Sequence, residues 1–369
     1  MVPILALLTV YIGFRLLSPF GVVAAVVGAI VLLVGFLVLP RRFHPRDLSP
    51  WRIALAWTMT GAFSSLLVLT FVRDFALIAL ALARPSLHDA WLVPSSLAVM
   101  ALVPIVTAVG YLMARRTAGV KDVTVAIANL PAALEGFTIA QISDIHVGPT
   151  IKRAYVEAIV ERVNGLRADM VAITGDLVDG SVGELARDTA PLANLTSRHG
   201  TYIVTGNHEY YSGARAWIAE LRRLGARVLL NEHVVLEHDG GQVTVAGVTD
   251  YSAHHFDESH RSDARAALAG APASSAKVLL AHQPRSAVFA AEAGADLQLS
   301  GHTHGGQFWP WNFFVRLQQP FTAGLHRLGR MWIYINRGTG YWGPPNRFGI
   351  PSEITRIRLV SGAQAVAAG

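Results

Sequence analysis

The stretch FTIAQISDIHVG, residues 137–148, decides how the C-terminal two thirds of the chain is interpreted. The run from Phe137 to Ile142 is typical of a short buried strand, and it ends at Ser143. Two polar residues, Asp144 and His146, follow at once. In an extended turn, residues i and i+2 project to the same side, so these two side chains should converge. The stretch therefore predicts a strand that ends in a pair of candidate metal ligands.

Four further blocks repeat this arrangement, with polar residues directly after short apolar runs. They are TGDLVDG, TGNHEY, LLAHQP and SGHTHGGQ, and they contribute Asp176, Asp179, Asn207, His208, His282, His302 and His304. Open α/β sheets place their functional sites where strands end. The five blocks together therefore predict one site at one end of a sheet system.

The residues between the blocks predict an α/β domain, because short apolar runs alternate with longer stretches of helical spacing. Strands are predicted over residues 123–127, 137–142, 170–174, 201–204, 243–248, 278–281, 297–299 and 332–335. Helices are predicted over residues 152–166, 214–224, 264–268 and 285–292. We expect a catalytic domain over residues 117–360 and a flexible tail over residues 361–369.

The chemistry of the polar set points to metal ions. The 369-residue chain contains no cysteine, which excludes disulfides and thiolate ligands. Magnesium and calcium prefer oxygen ligands, whereas imidazole suits zinc, iron and similar ions. A mixture of Asp, Asn and His therefore favours two transition-metal ions. Ligands from five loops also leave coordination positions for water and substrate.

In this order and with these residue types, the five blocks resemble the calcineurin-like metallophosphoesterases over about residues 137–353. The resemblance implies a β-sandwich flanked by helices and a centre of two divalent ions, with Mn, Fe or Zn expected. It implies that Asp144, His146 and His304 bind the first ion. It implies that Asn207, His282 and His302 bind the second, and that Asp176 bridges both. The run NRGTGYWGPPNRFGIP, residues 336–351, resembles a membrane-anchored bacterial subgroup of the family.

The resemblance also implies a catalytic pair. His208 matches a histidine near the substrate phosphate, and Asp179 matches the carboxylate that orients it. We expect in-line attack on phosphorus by a metal-bound hydroxide, with His208 as the general acid. Asp179 would favour the protonated imidazole. The seven remaining histidines of residues 117–360 match no block and are expected at the surface or in loops: His199, His233, His238, His254, His255, His260 and His326.

The first 116 residues predict a membrane region with about four helices, since a spanning helix needs about 20 mostly apolar residues. The four apolar stretches are Val2–Leu17, Phe20–Leu39, Ile53 past Leu69, and Trp91–Met113. The first could be a cleaved signal peptide, but it lacks a basic n-region, so a retained helix is favoured. Arg73 and Asp74 interrupt the third stretch. We expect that span to end there in an interfacial turn, with a functional intramembrane pair as the alternative.

The arginines predict the orientation. Basic residues lie between the second and third stretches and again after the fourth, at Arg41, Arg42, Arg46, Arg52, Arg115, Arg116 and Lys121. With four spans, these segments share one side, which the positive-inside rule identifies as the cytoplasm of a bacterial inner membrane. Three spans would reverse this. The net charge of +6 does not indicate nucleic-acid binding, because no basic run has interleaved aromatics.

The substrate is predicted less firmly, as a phosphoester. Five aromatic residues directly follow the His302 and His304 block, namely Phe308, Trp309, Trp311, Phe313 and Phe314. They are either core residues or a loop that enters the lipid headgroup region. The second interpretation favours a phospholipid or a lipid-linked pyrophosphate as substrate. There are two alternatives. One is a phosphomonoesterase that acts on proteins or small molecules, with Arg337 and Arg347 as phosphate ligands. The other is a non-catalytic scaffold. Nothing in the sequence indicates an oligomeric state.

Overall fold

The structure is a computed structural model that describes residues 2–35 and 50–362. The chain forms two compact units. The first comprises Met1–Arg115 and Gly343–Phe348, and the second comprises Arg116–Trp342 and Gly349–Gly369. The first unit is built from helices, and the second contains all the strands that the structure describes.

The first unit contains the apolar helices. They are α1 (Val2–Leu17), α2 (Val22–Leu33), α3 (Pro50–Ala83) and α4 (Pro85–Arg115). Within the described residues, three apolar segments have the length and composition to cross a membrane, at Pro3–Phe20, Trp51–Ala83 and Pro85–Arg115. In the described part of the predicted stretch Phe20–Leu39 lies the 12-residue helix α2, and residues 36–39 lie outside the described ranges.

Helix α3 continues through Arg73 and Asp74, so the prediction of a turn at this pair is wrong. Both side chains are buried. The carboxylate of Asp74 accepts hydrogen bonds from the Tyr11 hydroxyl and from Nε of Arg15, both on α1 and both at 2.7 Å. It also accepts one from Nη1 of Arg73 at 3.0 Å. Since Asp74 satisfies donors from two helices, the helix has no need to end there.

The guanidinium of Arg73 is satisfied by α4 as well. It donates to the hydroxyls of Ser95 and Ser96, each at 2.9 Å, and to the Leu92 carbonyl at 3.1 Å. Removing one partner of a buried ion pair typically costs about 3–5 kcal/mol, because a charge is left uncompensated. The hydrogen bonds of the pair therefore tie α1, α3 and α4 together.

The second unit alternates strands and helices. Its strands are β1 (Gly119–Ile127), β2 (Thr138–Ile142), β3 (Met170–Ile173), β4 (Thr201–Ile203), β5 (Arg227–Val228), β6 (Glu232–His238), β7 (Gly241–Gly247), β8 (Ala276–Leu280), β9 (Leu297–Ser300), β10 (Gly324–Leu328), β11 (Met331–Ile335) and β12 (Glu353–Ser361). Its helices are α5 (Arg153–Gly165), α6 (Val182–Thr189), α7 (Asn207–Tyr211), α8 (Ala214–Arg223), α9 (Ala264–Leu268) and α10 (Ala287–Glu292). All eight predicted strands are present.

The strands form two six-stranded sheets, in the orders β1-β12-β2-β3-β4-β5 and β10-β11-β9-β8-β7-β6. Strands β2 to β5 run parallel, and so do β7, β8, β9 and β11. Strand β12 is antiparallel to β2 and parallel to β1. Because neighbouring parallel strands end at the same edge of a sheet, the residues after β2, β3 and β4 are brought together, as are those after β8 and β9.

The core lies between the sheets. Ile139 and Ala172 of the first sheet belong to the same buried apolar cluster as Val245, Val278 and Leu299 of the second. A second cluster joins the second sheet to α9 and α10, through small residues that let the helices pack closely. The predicted fold class, an α/β sandwich of two sheets flanked by helices, is therefore confirmed, and the apolar helices precede it along the chain.

Candidate metal centre

The nine predicted site residues lie in five loops that follow strands. Asp144 and His146 follow β2, Asp176 and Asp179 follow β3, and His302 and His304 follow β9. Asn207 and His208 begin α7 after β4, and His282 follows β8. Strands β2, β3 and β4 belong to the first sheet, and β8 and β9 belong to the second. The site is therefore formed by loops from both sheets. The structure links eight of the nine by hydrogen bonds or close contacts, and Asn207 directly precedes one of them, His208.

The first group of candidate ligands consists of Asp144, His146 and His304, whose ligand atoms all lie within 4.8 Å of one another. Nε2 of His146 and Nε2 of His304 are 3.1 Å apart. Nε2 of His304 lies 3.4 Å from Oδ1 of Asp144. All three residues are buried. This is the trio that the resemblance assigned to the first ion.

The second group consists of Asp176, His282 and His302, again within 4.8 Å. Nε2 of His282 lies 3.1 Å from Oδ2 of Asp176 and 3.2 Å from Nδ1 of His302. The same Oδ2 of Asp176 is 3.9 Å from Nε2 of His146 in the first group. Asp176 therefore stands between the two groups, where a carboxylate shared by two ions would have to be.

The backbone of these loops is strained in a consistent way. Five candidate ligands have positive φ angles of 50–70°, namely Asp144, His146, Asp176, His302 and His304. A left-handed backbone at a residue other than glycine costs on the order of 1–3 kcal/mol, and such strain is concentrated at functional sites. Two glycines make room for the carboxylates. A Cβ at Gly301 would collide with Asp144, and a Cβ at Gly206 would collide with Asp176.

Hydrogen bonds behind the ligands fix the orientation of two imidazoles. Nδ1 of His282 is 2.7 Å from the Thr174 carbonyl, to which it can only donate. Nδ1 of His146 is 2.9 Å from Oδ1 of Asp179. In both rings this leaves Nε2 directed at the candidate metal positions. Carboxylate or carbonyl partners of this kind are typical of histidines that bind metals.

Burial and mutual charge shift the ionisation of the group. Burial would raise the pKa of Asp176, but the imidazoles of His282, His208 and His146 together outweigh it and hold this pKa well below its usual range. Burial opposes a charge on His146, yet the carboxylate of Asp179 raises the pKa of His146 to about 9. Burial and the neighbouring His282 lower the pKa of His302 to about 3. Protonated imidazoles thus offset the negative charge of the buried carboxylates. A bound cation would supply positive charge in their place, and its binding would release protons.

The residues fit a pair of divalent cations. Two pairs of ring nitrogens face each other at about hydrogen-bond distance, beside buried carboxylates. In addition, Oδ1 of Asn207 is buried without a hydrogen-bond partner. An orphaned buried acceptor is costly unless a cation or donor satisfies it. The donor set of imidazole, carboxylate and amide oxygen suits transition-metal ions.

His208 and Asp179 lie at the more open side of the site. Nδ1 of His208 is 2.6 Å from Oδ1 of Asp179, and Nε2 of His208 is 4.0 Å from Oδ2 of Asp176. The candidate ligand atoms of His146, Asp179 and His208 also lie within 4.8 Å of one another. Their close contacts are those of hydrogen bonds, however, so we interpret them as a relay. Asp179 thereby connects His208 to the candidate ligand His146, a link that the sequence did not predict.

Glu209 is a residue that the sequence analysis missed. Its buried carboxylate accepts hydrogen bonds from the backbone N–H groups of Asp176 at 3.0 Å, Leu177 at 2.7 Å and Gly206 at 2.6 Å. Burial and the nearby Asp176 raise the pKa of Glu209 to about 7. Glu209 thus holds the loops after β3 and β4 together. The available signal was a charged residue inside the TGNHEY block with no assigned role.

Histidines outside the blocks form other contacts. His199 and His238 lie 3.0 Å apart beside Phe137, and His260 faces the Tyr210 hydroxyl at 2.8 Å. None belongs to a candidate metal group among the described residues.

The chain is similar in sequence to known proteins. The calcineurin-like phosphoesterase family model matches residues 137–306. A transmembrane protein with metallophosphoesterase domain from Bos taurus is 40% identical over 276 residues, which cover 72% of this chain and 62% of the bovine protein. Its counterpart in Danio rerio is 34% identical over 322 residues, covering 84% and 74%. An uncharacterized metallophosphoesterase of Helicobacter pylori is 42% identical over 229 residues, covering 62% and 60%.

The chain therefore spans about three fifths of the length of the bovine and Helicobacter relatives and about three quarters of the zebrafish one. The family match begins at the strand that carries the first ligand pair and ends just after His304. The geometry of the loops and the sequence matches agree: this chain belongs to the calcineurin-like metallophosphoesterase family.

Proposed function

We propose that this protein is a membrane-anchored hydrolase that uses two divalent metal ions to cleave a phosphodiester or pyrophosphate bond in a lipid-linked substrate. The observation that carries the proposal is the position of Asp176. Its carboxylate lies between two groups of candidate ligands and contacts His282 of one group while approaching His146 of the other. His208 lies next to it with a partly exposed side chain.

In this proposal Asp144, His146 and His304 hold one ion, and Asn207, His282 and His302 hold the other. Asp176 contributes to both. When bound, the ions would neutralise the phosphoryl oxygens and lower the pKa of a water molecule, so that it can act as nucleophile. The donor set is compatible with Mn, Fe or Zn. Five of the ligand residues have left-handed backbone angles, and this strained conformation orients their side chains.

His208 serves as the general acid. Its Nδ1 is fixed by Asp179, so Nε2 is the atom that carries a proton towards the leaving oxygen. The backbone N–H of His208 donates to Oδ1 of Asp176 at 2.8 Å, which sets the distance between the acid and the metal ligands. A side chain 16% exposed can reach both substrate and solvent.

A lipid-linked substrate is supported by the loop that follows the ligand pair. Phe308 is buried and belongs to the core, but the residues after it are not. Trp309, Trp311, Phe313, Phe314 and Leu317 expose 39%, 38%, 69%, 51% and 82% of their surfaces. Clustered exposed apolar residues mark interaction surfaces, and Trp favours the membrane–water interface. Arg316 is exposed within the same loop and suits an anionic headgroup.

The alternative of a phosphomonoesterase gains no support from the two arginines that suggested it. Arg347 is fully buried and groups with the helical unit. Arg337 lies beside Glu353, with Nε 3.9 Å from its Oε2.

We propose further that the catalytic unit lies on the cytoplasmic side of a bacterial inner membrane. Arg115 ends the last long helix, α4, and Arg116 and Lys121 follow within six residues, whatever the number of spans before it. The cysteine-free chain permits a direct test with single cysteines in intact cells. We expect an impermeant maleimide to label Ser86→Cys, at the start of α4, but to label Ser274→Cys in the second unit only after permeabilisation. The reverse pattern would contradict the cytoplasmic placement.

Asp176→Asn should reduce the metal content of the full-length protein from two ions per chain to one or fewer, because a neutral amide is a poor ligand for two cations. Elemental analysis of the purified, manganese-loaded protein measures this. Asp239→Asn, which removes an exposed carboxylate paired with Arg198, is the control and should retain two ions. Two ions and full activity in Asp176→Asn would refute the shared ligand.

His208→Ala should slow hydrolysis of phosphodiesters with alkyl leaving groups by about 10²–10⁴-fold. Esters with a nitrophenyl leaving group need little protonation and should slow by much less. The measurement is kcat for both esters with the metal-loaded protein. Equal slowing of both would show that His208 is not the general acid.

Replacing Phe313 and Leu317 together by Ser should raise the KM for a phosphodiester lipid presented in vesicles by about tenfold or more, since each buried side chain contributes roughly 1.5–3 kcal/mol. The KM for a short water-soluble diester should stay unchanged. Replacing Val288 and Phe289, exposed on α10, by Ser is the matched control. An unchanged KM for the vesicle substrate would argue against lipid contact by this loop.

A further inference from the structure

Two exposed aromatic residues flank His208. The ring of Tyr211 lies 5.1 Å from the His208 imidazole, and the ring of Trp342 lies 6.0 Å from it. Their planes are inclined at 63° and 74° to the imidazole, so neither ring lies flat on the histidine. Tyr211 is 61% exposed and Trp342 is 51% exposed. Large areas of ring surface therefore stand open at the proposed general acid.

Trp342 is held in place by its backbone. The side chain of Gln307 accepts a hydrogen bond from the Trp342 N–H and donates one to the Trp342 carbonyl, each at 2.8 Å. Gln307 is buried and lies three residues after the candidate ligand His304. The position of the indole is thus tied to the metal-ligand loop. Trp342 therefore combines a fixed backbone with a half-exposed ring, which suits contact with a ligand.

Tyr211 is similarly placed by its surroundings. It ends α7, the short helix that begins with Asn207 and His208, so its distance from the acid is set by one helical turn. Its ring lies 5.5 Å from that of Phe256, which is also exposed. The aromatic surface therefore extends outward from His208 on the Tyr211 side.

We propose that Tyr211 and Trp342 form the leaving-group subsite and select substrates whose leaving group carries a planar aromatic or heteroaromatic ring. This rests on the proposed function, since it takes His208 as the group that protonates the leaving oxygen. Whatever is attached to that oxygen must then lie beside His208, against these two rings. Rigid aromatic side chains recognise flat groups well, because stacking requires little loss of side-chain freedom. Flexible acyl chains gain less from such a surface.

The subsite determines which end of the substrate lies next to His208. The exposed loop of residues 309–317 follows the ligand His304, whereas Tyr211 and Trp342 border the acid His208. A lipid-linked diester or pyrophosphate would place its ring-bearing leaving group at the acid. The bond that breaks is the one between phosphorus and the leaving oxygen, water supplies the new oxygen on phosphorus, and the proton on the leaving oxygen comes from His208.

The test uses full-length, manganese-loaded protein and two methyl phosphodiesters. One has a phenolic leaving group and the other a fluoroalkyl leaving group of matched pKa, so that only ring shape differs. Trp342→Ala should raise the KM for the aryl ester by about 3- to 10-fold. It should leave kcat for that ester and both constants for the fluoroalkyl ester nearly unchanged. Tyr211→Ala should act in the same way, while Trp342→Phe and Tyr211→Phe should retain the wild-type preference.

Phe289→Ala removes an exposed aromatic ring elsewhere in the unit and serves as the control. Equal changes for both esters in Trp342→Ala would overturn the subsite, because they would mean that Trp342 only positions His208. If the wild-type protein cleaves neither ester, the proposed function fails, but the subsite is still decided by binding of a non-hydrolysable aryl methylphosphonate. A Kd for that compound that is unaffected by Trp342→Ala and Tyr211→Ala would refute the aromatic pair in its own right.

Discussion

The loops at the metal centre of the second unit depend on one carboxylate, that of Asp176. Oδ2 contacts His282 after β8, and Oδ1 accepts the backbone N–H of His208 at the start of α7. The carbonyl of Asp176 accepts the N–H of His146 after β2, and its N–H donates to Glu209. One residue after β3 therefore contacts three other segments, namely the loops after β2 and β8 and the helix α7 after β4. Its left-handed backbone makes this possible, because it turns the side chain back over the ends of the strands.

Much of the site could be predicted from the sequence because its chemistry is local. Each ligand follows a short apolar run, and pairs such as His302 and His304 are spaced to project together. Asp179 was expected to serve His208, but contact with His146 depends on how two loops cross, which no local pattern reveals. Glu209 was missed for the same reason: its three backbone partners come from two separate loops.

Two elements of the fold were missed, one despite a recognisable pattern and one because the sequence has no pattern that reveals it. Strand β12 was overlooked, although Ile357 and Leu359 alternate with Arg356 and Arg358, a recognisable period of two. The continuity of α3 could not be read from the sequence. Arg73 and Asp74 look like the end of a span until Tyr11, Arg15 and the serines of α4 are seen to satisfy them. Charge in an apolar segment is informative only once its partners are known.

The position of β12 has a consequence for how the protein is made. Strand β1, which follows the last apolar helix, pairs with β12 along its whole length, from Gly119 opposite Glu353 to Ile127 opposite Ser361. Its backbone lacks this partner until translation has reached β12, which at typical rates takes roughly 10–50 seconds after β1 has been made. During that time β1 has unpaired backbone groups, which can pair with a wrong strand. The first sheet is completed only after β12 has been translated, so a strand made late secures the strand made first.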